Sequence, residues 1–314
     1  MGLHKETTDR NVGAANPAPS RGAAGSGPSP SRTAIFVAEN RAAHQLLDGE
    51  PKILLDPVSA KLLPRASAAA LRADEPRLQQ TSVRRSRANK VLRSRYAEDR
   101  LEAAARRGVT QYVVLGAGLD TFAYRQPSWA SRVTIVEVDH PASQDFKMVS
   151  LKAAGVDVPT NVKFMPIDFS SEAVGDRLAS GLLDPAQPIF VSWLGVTQYL
   201  TRDAIAATLG AVGSWKAGSE IVLSYIMDDW SSLETVDKQA LQRTLARWAA
   251  TSEPWLSRFS ARAIGDMLSA AGFSRIDHFT IEDAIERYFR DRADNLLPEH
   301  GTGLVHASAR HNVE

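Results

Sequence analysis

The stretch Gln111–Arg125, QYVVLGAGLDTFAYR, decides how the rest of the chain is read. Its first five residues form a short apolar run of strand length. Such a run, without polar alternation, suits a central parallel strand buried on both faces. Gly116 and Gly118 follow at once, and without a Cβ they let the backbone approach a ligand. In an open α/β sheet, ligands sit outside the carboxyl ends of the strands, beside the switch point next to the first strand. Position alone therefore makes Gly116-Ala117-Gly118 a cofactor loop.

Four more runs follow downstream: Val133–Val138 (VTIVEV), Val162–Ile167 (VKFMPI), Pro188–Trp193 (PIFVSW) and Glu220–Ile226 (EIVLSYI). Pro166 places the third at an edge or a strand end, because proline cannot donate to a ladder. Helical patterns over about 142–154, 172–180 and 202–215 separate the runs. This alternation predicts a doubly wound α/β fold with a parallel sheet and right-handed crossovers. Beyond 226 the rhythm breaks. Residues 228–254 read as a helical insertion, with Trp230, Trp248 and Trp255 in or beside it, packing over the site as a lid, the alternative being a plain helical subdomain with core tryptophans. Ser260 suits the N-cap of a helix ending near Gly272. A strand at about 275–280, a helix at 281–290 and a strand at about 303–308 complete the sheet.

Upstream, residues 31–108 read as a helical cap. Ile35, Val37, Ala38, Ala42, Leu46 and Leu47 recur near helical spacing. A long helix is expected from about Val83 to Arg107, with Gly108 closing it. Its first half carries Arg84, Arg85, Arg87, Lys90, Arg93 and Arg95, most of which read as solvated. Residues 1–30 are rich in Gly, Ala, Pro and Ser, with Leu3 and Val12 their only large aliphatic residues after Met1. Such a segment buries too little to offset its ordering entropy, so it reads as a mobile tail. The organisation expected is thus a tail (1–30), a cap (31–108) and a core (109–314) with an insertion at about 228–260.

Composition narrows the function classes. The 314 residues carry 37 Lys+Arg against 36 Asp+Glu, a formal charge of +1, so the usual footprint of a nucleic-acid binder is missing. With no cysteine, a disulfide framework, a thiolate zinc site and a cysteine nucleophile are excluded. No run of 18 apolar residues and no apolar leader is present, which points to a soluble, cytoplasmic protein. The histidines lack the H-E-x-x-H spacing of a metal site, and no G-x-S-x-G elbow supplies a hydrolase nucleophile.

The loop also discriminates among cofactors. A dinucleotide fingerprint needs a small residue where Thr121 stands, and Asp120 would set a negative charge beside a pyrophosphate. No Gly-Lys-Ser/Thr follows, so a nucleoside triphosphate is disfavoured. A nucleoside without phosphates fits better, and S-adenosylmethionine is such a ligand. Glu137-Val-Asp139, about twenty residues on, offers a carboxylate to the ribose hydroxyls. NAD would use the same group, so this acid does not discriminate. Asp168-Phe169, after the third strand, suits an adenine amine and an adenine face. The alternative there is a turn-capping Asp168 and a core Phe169.

VVLGAGLDTFAYR, EVDHP, PIDF and SWLGVTQYL, in this order at successive strand ends, resemble the leucine carboxyl methyltransferase family. The resemblance is to its actinobacterial branch of S-adenosylmethionine-dependent methyltransferases and covers roughly Ser31 to Ala307. It implies a class I methyltransferase (Rossmann-like) fold with an N-terminal helical cap and an inserted helical lid. It implies that Gly116, with Ala117 and Gly118, lies against the methionine part of the cofactor. It assigns Asp139 to the ribose, Asp168 and Phe169 to the adenine, and Arg93, or failing it Arg95, to the cofactor carboxylate. The sequence departs from many relatives at Leu194, where they carry a Glu.

The function expected is S-adenosylmethionine-dependent methyl transfer to a carboxylate or hydroxyl of a small molecule or peptide. A carboxylate acceptor is ionised at pH 7 and needs no general base. A phenol or alcohol would profit from one, and His140 is the nearest candidate. Tyr199, Trp193, Tyr124 and Arg125 stand near strand ends as acceptor-pocket candidates, with packing as the alternative for each. Three other readings remain open at this point: an NAD-dependent oxidoreductase; an RNA-modifying or RNA-binding protein of the same fold, motivated by the arginine-rich helix; and a cofactor-binding protein without catalysis, which Leu194 in place of the relatives' Glu leaves open. Neither a metal nor a membrane partner is expected.

Overall fold

The computed structural model describes residues 31–63, 68–169, 172–231, 233–249 and 254–309. The expected tail, 1–30, lies outside the described residues. Seven strands form one sheet: β1 (Gln111–Leu115), β2 (Thr134–Asp139), β3 (Val162–Pro166), β4 (Phe190–Trp193), β5 (Glu220–Ile226), β6 (Phe273–Phe279) and β7 (Thr302–Ala309), in the order β3-β2-β1-β4-β5-β7-β6. β1 lies between β2 and β4, so the chain reverses its direction of sheet growth beside the glycine loop. β3, with Pro166, is an edge, as its sequence requires.

β1 to β5 are mutually parallel, while β7 pairs antiparallel with both β5 and β6. The expected parallel sheet therefore stops at β5 on this side. The connection from β6 to β7 stays at one end of the sheet, so the returning strand runs the other way and fills the gap between β5 and β6.

The helices are α1 (Arg32–Leu47), α2 (Ala68–Ala73), α3 (Glu75–Leu78), α4 (Thr81–Arg106), α5 (Pro141–Ala153), α6 (Val174–Leu178), α7 (Arg202–Gly213), α8 (Thr235–Ala249), α9 (Ala261–Ala270) and α10 (Ile281–Ala284). Strand alternation sorts the core into two layers. Tyr112 and Val114 of β1 face Tyr96, Ala97 and Leu101 of α4. Val113 and Leu115 face Leu178 of α6, Ile205 and Leu209 of α7 and Ile264 of α9. Successive side chains of a strand point to opposite faces, so five uninterrupted apolar or large side chains serve both layers.

The arginines of α4 are not the solvated face read from the sequence. Arg87 is fully buried, its Nη2 2.6 Å from Asp48 Oδ1 and its Nε 2.8 Å from Asp48 Oδ2. Asp48 is also 2.8 Å from His44 Nδ1 of α1. Arg85 reaches Glu234 and Asp237, both at 2.9 Å. Arg84 donates to the Asp294 carbonyl. α4 is packed between α1, the sheet and α8, and its charges neutralise acids from those elements, since a buried charge is tolerated only when paired.

Candidate active site

The loop after β1 turns on two left-handed glycines. Gly116 has φ +69, and a Cβ there would lie 2.3 Å from Val196 Cγ2. Gly118 has φ +44, and a Cβ there would lie 3.1 Å from Ala34 Cβ in α1. The Gly118 N–H donates to Asp139 Oδ2 at the end of β2, and the His140 N–H donates to Asp139 Oδ1 at 2.7 Å. Burial pushes the Asp139 carboxyl up from its ordinary value, and the two amides oppose it. His140 caps α5, its Nδ1 accepting from the Ala142 N–H at 3.2 Å.

This loop borders a cavity of about 850 Å³. Gly116, Ala117, Gly118, Asp139, His140, Asp168, Phe169, Arg93 and Tyr199 all line it. Phe169 also packs in part against the core, so the packing alternative holds for one side of its ring. Asp168 follows β3, and its N–H donates to Glu172 Oε1 at 3.0 Å.

Arg93 is half-buried and has no carboxylate within 4.0 Å among the described residues. Burial pulls its pKa down to about 10. Gly195, at φ +72 in the loop after β4, passes directly beneath it: a Cβ there would stand 2.3 Å from Arg93 Nη1. Arg95, the alternative for the same role, is 45% exposed and pairs with Asp99 at 2.8 Å. Two residues rotate a helix by roughly 200°, so Arg93 and Arg95 face opposite ways.

Three acceptor-pocket candidates also lie off the cavity. Trp193 is fully buried in the core, because β4 turns Ser192 and Leu194 to the cavity and Trp193 between them to the other side. Tyr124 donates its O–H to Glu137 Oε2 at 2.9 Å, and Lys147 Nζ lies 2.7 Å from the same oxygen. Glu137 thereby ties Tyr124 to Lys147 of α5, and both side chains are spent on this buried acid. Arg125 is held by Glu98, by Thr121 Oγ1 at 3.0 Å and by Asp56 at 3.5 Å.

Asp120 lines the cavity but is already partnered. Arg41 of α1 donates to Asp120 Oδ2 at 3.0 Å and to Thr121 Oγ1 at 2.7 Å, and lies 2.8 Å from Asp56. Burial opposes ionisation of Asp120, yet Arg41, Lys147 and Arg125 together pull its carboxyl down to about 2. α1 is thereby pinned to the loop.

Several lining residues were not assigned to the site from the sequence: Ser86 and Asn89 of α4, Lys90 of the same helix, grouped there with cations read as mostly solvated, Glu299, Tyr225, and Leu241 and Thr244 of α8. Ser86, Asn89, Lys90 and Arg93 fall at i, i+3, i+4 and i+7, a polar stripe that helical periodicity makes one face. That spacing was the available signal. Of the three insertion tryptophans, Trp255 lines the cavity, Trp230 packs against Arg258, and the Trp248 side chain lies outside the described residues. Among the described residues, no helix is long and apolar enough to cross a membrane, and no cluster of three or more acids and histidines is arranged for a metal ion.

The chain is similar to known proteins. The family model for leucine carboxyl methyltransferase matches residues 34–213. The Bacillus subtilis (strain 168) protein YktD, provisionally named an S-adenosyl-L-methionine-dependent methyltransferase, is 32% identical over 218 residues, covering 69% of this chain and 71% of its own. A Frankia alni protein with the same provisional name is 28% identical over 221 residues, covering 70% and 73%. Among solved structures, a chain from Thermobifida fusca provisionally described as a methyltransferase superposes with a TM-score of 0.53 at 16% identity, over 88% of this chain and 95% of that one. The last likeness bears on the fold.

Proposed function

The chain belongs to the leucine carboxyl methyltransferase family, and from that premise we propose that it transfers a methyl group from S-adenosyl-L-methionine to an oxygen, carboxylate or hydroxyl, of a small acceptor. Dependence on S-adenosylmethionine follows from the family and displaces the oxidoreductase alternative. The observation that carries the reading is the convergence of the glycine loop, Asp139, Asp168, Phe169 and Arg93 on one cavity.

The donor set fits the cofactor's chemistry. A guanidinium without a carboxylate partner suits an amino-acid carboxylate. A carboxylate anchored by two backbone amides suits a pair of ribose hydroxyls. A carboxylate beside an aromatic ring suits adenine. A loop without Cβ atoms at Gly116 and Gly118 leaves room for close approach, and Asp120 and the missing third glycine disfavour a pyrophosphate. The volume, near the upper end of the roughly 300–1,000 Å³ usual for small-molecule sites, accommodates a nucleoside and a small acceptor together.

When bound, S-adenosylmethionine supplies an electrophilic methyl group on a sulfonium. The chain's own work is then to align and to exclude water. Arg93 orients the amino-acid end, Asp139 and the Asp168-Phe169 pair fix the nucleoside, and alignment lowers the entropic part of the barrier. Leu241, Thr244 and Trp255 wall the outer side as a lid and keep water from the reacting oxygen. Leu194 lends an apolar wall where many relatives carry a carboxylate. A carboxylate acceptor requires no proton removal. For a hydroxyl acceptor, His140 is the lining imidazole, although its Nδ1 is engaged in capping α5.

Titration calorimetry with S-adenosylhomocysteine and with NAD tests the reading. Micromolar or tighter binding of the former, with none of the latter, is expected; the reverse would refute it.

A further inference from the structure

α4 presents two cations to one cavity. Lys90 and Arg93 are three residues apart on the same helical face, and both line it. Neither has a carboxylate within ion-pair distance among the described residues. Lys90 Nζ donates to the Ser86 carbonyl at 3.0 Å and to Ser86 Oγ at 2.7 Å, and stands 5.1 Å from the Phe36 ring centroid. An ammonium has three donors, so one N–H remains to be used. Burial, together with Arg93, pulls Lys90 down to about 8, while Glu299 opposes. Glu299 lines the same cavity, but it is held by Asn89 and Ser86, and burial pushes its carboxyl up toward the neutral form. Of the cations that line the cavity, Arg41 is paired with Asp56 and Asp120, whereas Lys90 and Arg93 reach into it without an ion pair among the described residues. Desolvated charge of this kind is costly unless a ligand brings the partner.

The two cations occupy different depths. α4 turns back into β1 within 107–110, so earlier positions of the helix lie farther beyond the strand ends. Lys90 is about 4.5 Å farther along the axis than Arg93. That direction leads to α8, which Arg85 ties to α4 through Glu234 and Asp237. S-Adenosylmethionine carries one carboxylate, and the proposed function gives it to Arg93. We infer that Lys90 receives an oxyanion of the methyl acceptor, foremost a carboxylate, and is a specificity residue of this site. The inference rests on the methyltransferase reading and narrows it to acidic acceptors. Phe36, Tyr225, Leu241 and Trp255 around the same chamber give the acceptor an apolar body.

The test uses the full chain saturated with S-adenosylhomocysteine. Phenylacetate and hexanoate are titrated in parallel with phenylacetamide and hexanamide, which keep the shape and lose the charge. Wild type is expected to favour each acid over its amide by roughly tenfold, about the effect of one charged hydrogen bond. Lys90→Met abolishes the preference and Lys90→Arg retains it, while both variants bind S-adenosylhomocysteine within about threefold of wild type. That cofactor affinity also reports that each variant is folded. The assignment is overturned if the cofactor product binds but wild type shows no acid preference, or if Lys90→Met keeps it. It is equally overturned if Lys90→Met loses most cofactor affinity, for Lys90 would then hold the cofactor's own carboxylate. Failure of wild type to bind S-adenosylhomocysteine refutes the methyltransferase reading itself and takes this assignment with it.

Discussion

Replacing Gly195 by Ala puts one methyl group against the guanidinium that the proposed mechanism uses. The added Cβ would lie 2.3 Å from Arg93 Nη1 and 2.7 Å from Cζ, well inside contact distance. Gly195 also holds φ +72, a conformation that costs an L-residue about 1–2 kcal/mol. The two effects separate. The backbone cost falls on folding. The steric one falls on the far end of a flexible side chain, which swings aside rather than unfolding the protein. If Arg93 binds the cofactor carboxylate, its displacement loses a charged hydrogen-bonding partner worth about 1.5–3 kcal/mol, or roughly 10- to 150-fold in affinity. Calorimetry with S-adenosylhomocysteine on wild type, Gly195→Ala, Arg93→Ala and the double variant completes a cycle. In the Arg93→Ala background the extra methyl has nothing to displace, so the second substitution should cost almost no further affinity. Additive losses, or unimpaired binding by a folded Gly195→Ala protein, would refute the pairing of this glycine with a cofactor-binding arginine.

Asp139→Ala should weaken S-adenosylhomocysteine by about 1–3 kcal/mol, through lost ribose contacts and loss of the carboxylate that holds the Gly118 amide; unchanged calorimetric affinity contradicts the ribose role. Arg87→Ala leaves Asp48 ionised in the interior and should cost about 3–5 kcal/mol in urea unfolding, a loss below 1 kcal/mol counting against the buried pair. Arg87 and His44, opposing desolvation, hold Asp48 below its usual 3.8, so its contribution is complete above that value and is lost as pH falls through the folded one; Asp48→Asn should flatten the acid limb of a stability-versus-pH curve. Lys90, at about 8 in the fold and 10.5 outside it, costs stability below pH 8 and ceases to as pH rises through that window; with Arg93 and Glu299 as its charged neighbours, Lys90→Met should stabilise the protein at pH 7 by roughly 1–2 kcal/mol and show no gain near pH 10.5 in paired denaturant titrations.

The parallel half of the sheet was legible because fully buried strands leave uninterrupted apolar runs, and the glycine loop because glycine adopts φ near +69 and +44 without the cost that a Cβ brings. Asp139, Asp168 and Phe169 could be placed from their positions at strand ends. Trp193 was misplaced although the same strand logic, with its period of two, sends Ser192 and Leu194 to one side and Trp193 to the other. Tyr124 and Arg125 were illegible for a different reason. Their partners, Glu137, Lys147, Glu98 and Asp56, come from distant parts of the chain, and nothing local forecasts such pairings. The arginines of α4 misled for that reason too: a charged stretch with acids supplied by α1, α8 and 291–301 resembles a solvated one until those elements are packed against it. Lys90 was hidden among these arginines, although its spacing from Ser86 and Arg93 was visible.

The antiparallel β7 has a consequence for biosynthesis. Residues 302–309 are threaded between two strands already made, and both β5 and β6 present open hydrogen-bonding edges until they arrive. While the ribosome is still short of them, the nascent polypeptide exposes two templates for mispairing. Closure joins partners some eighty residues apart, a non-local event that slows acquisition of the native state. A premature stop before residue 302 would therefore release not a shortened enzyme but a molecule with a gap between β5 and the outermost strand, prone to self-association.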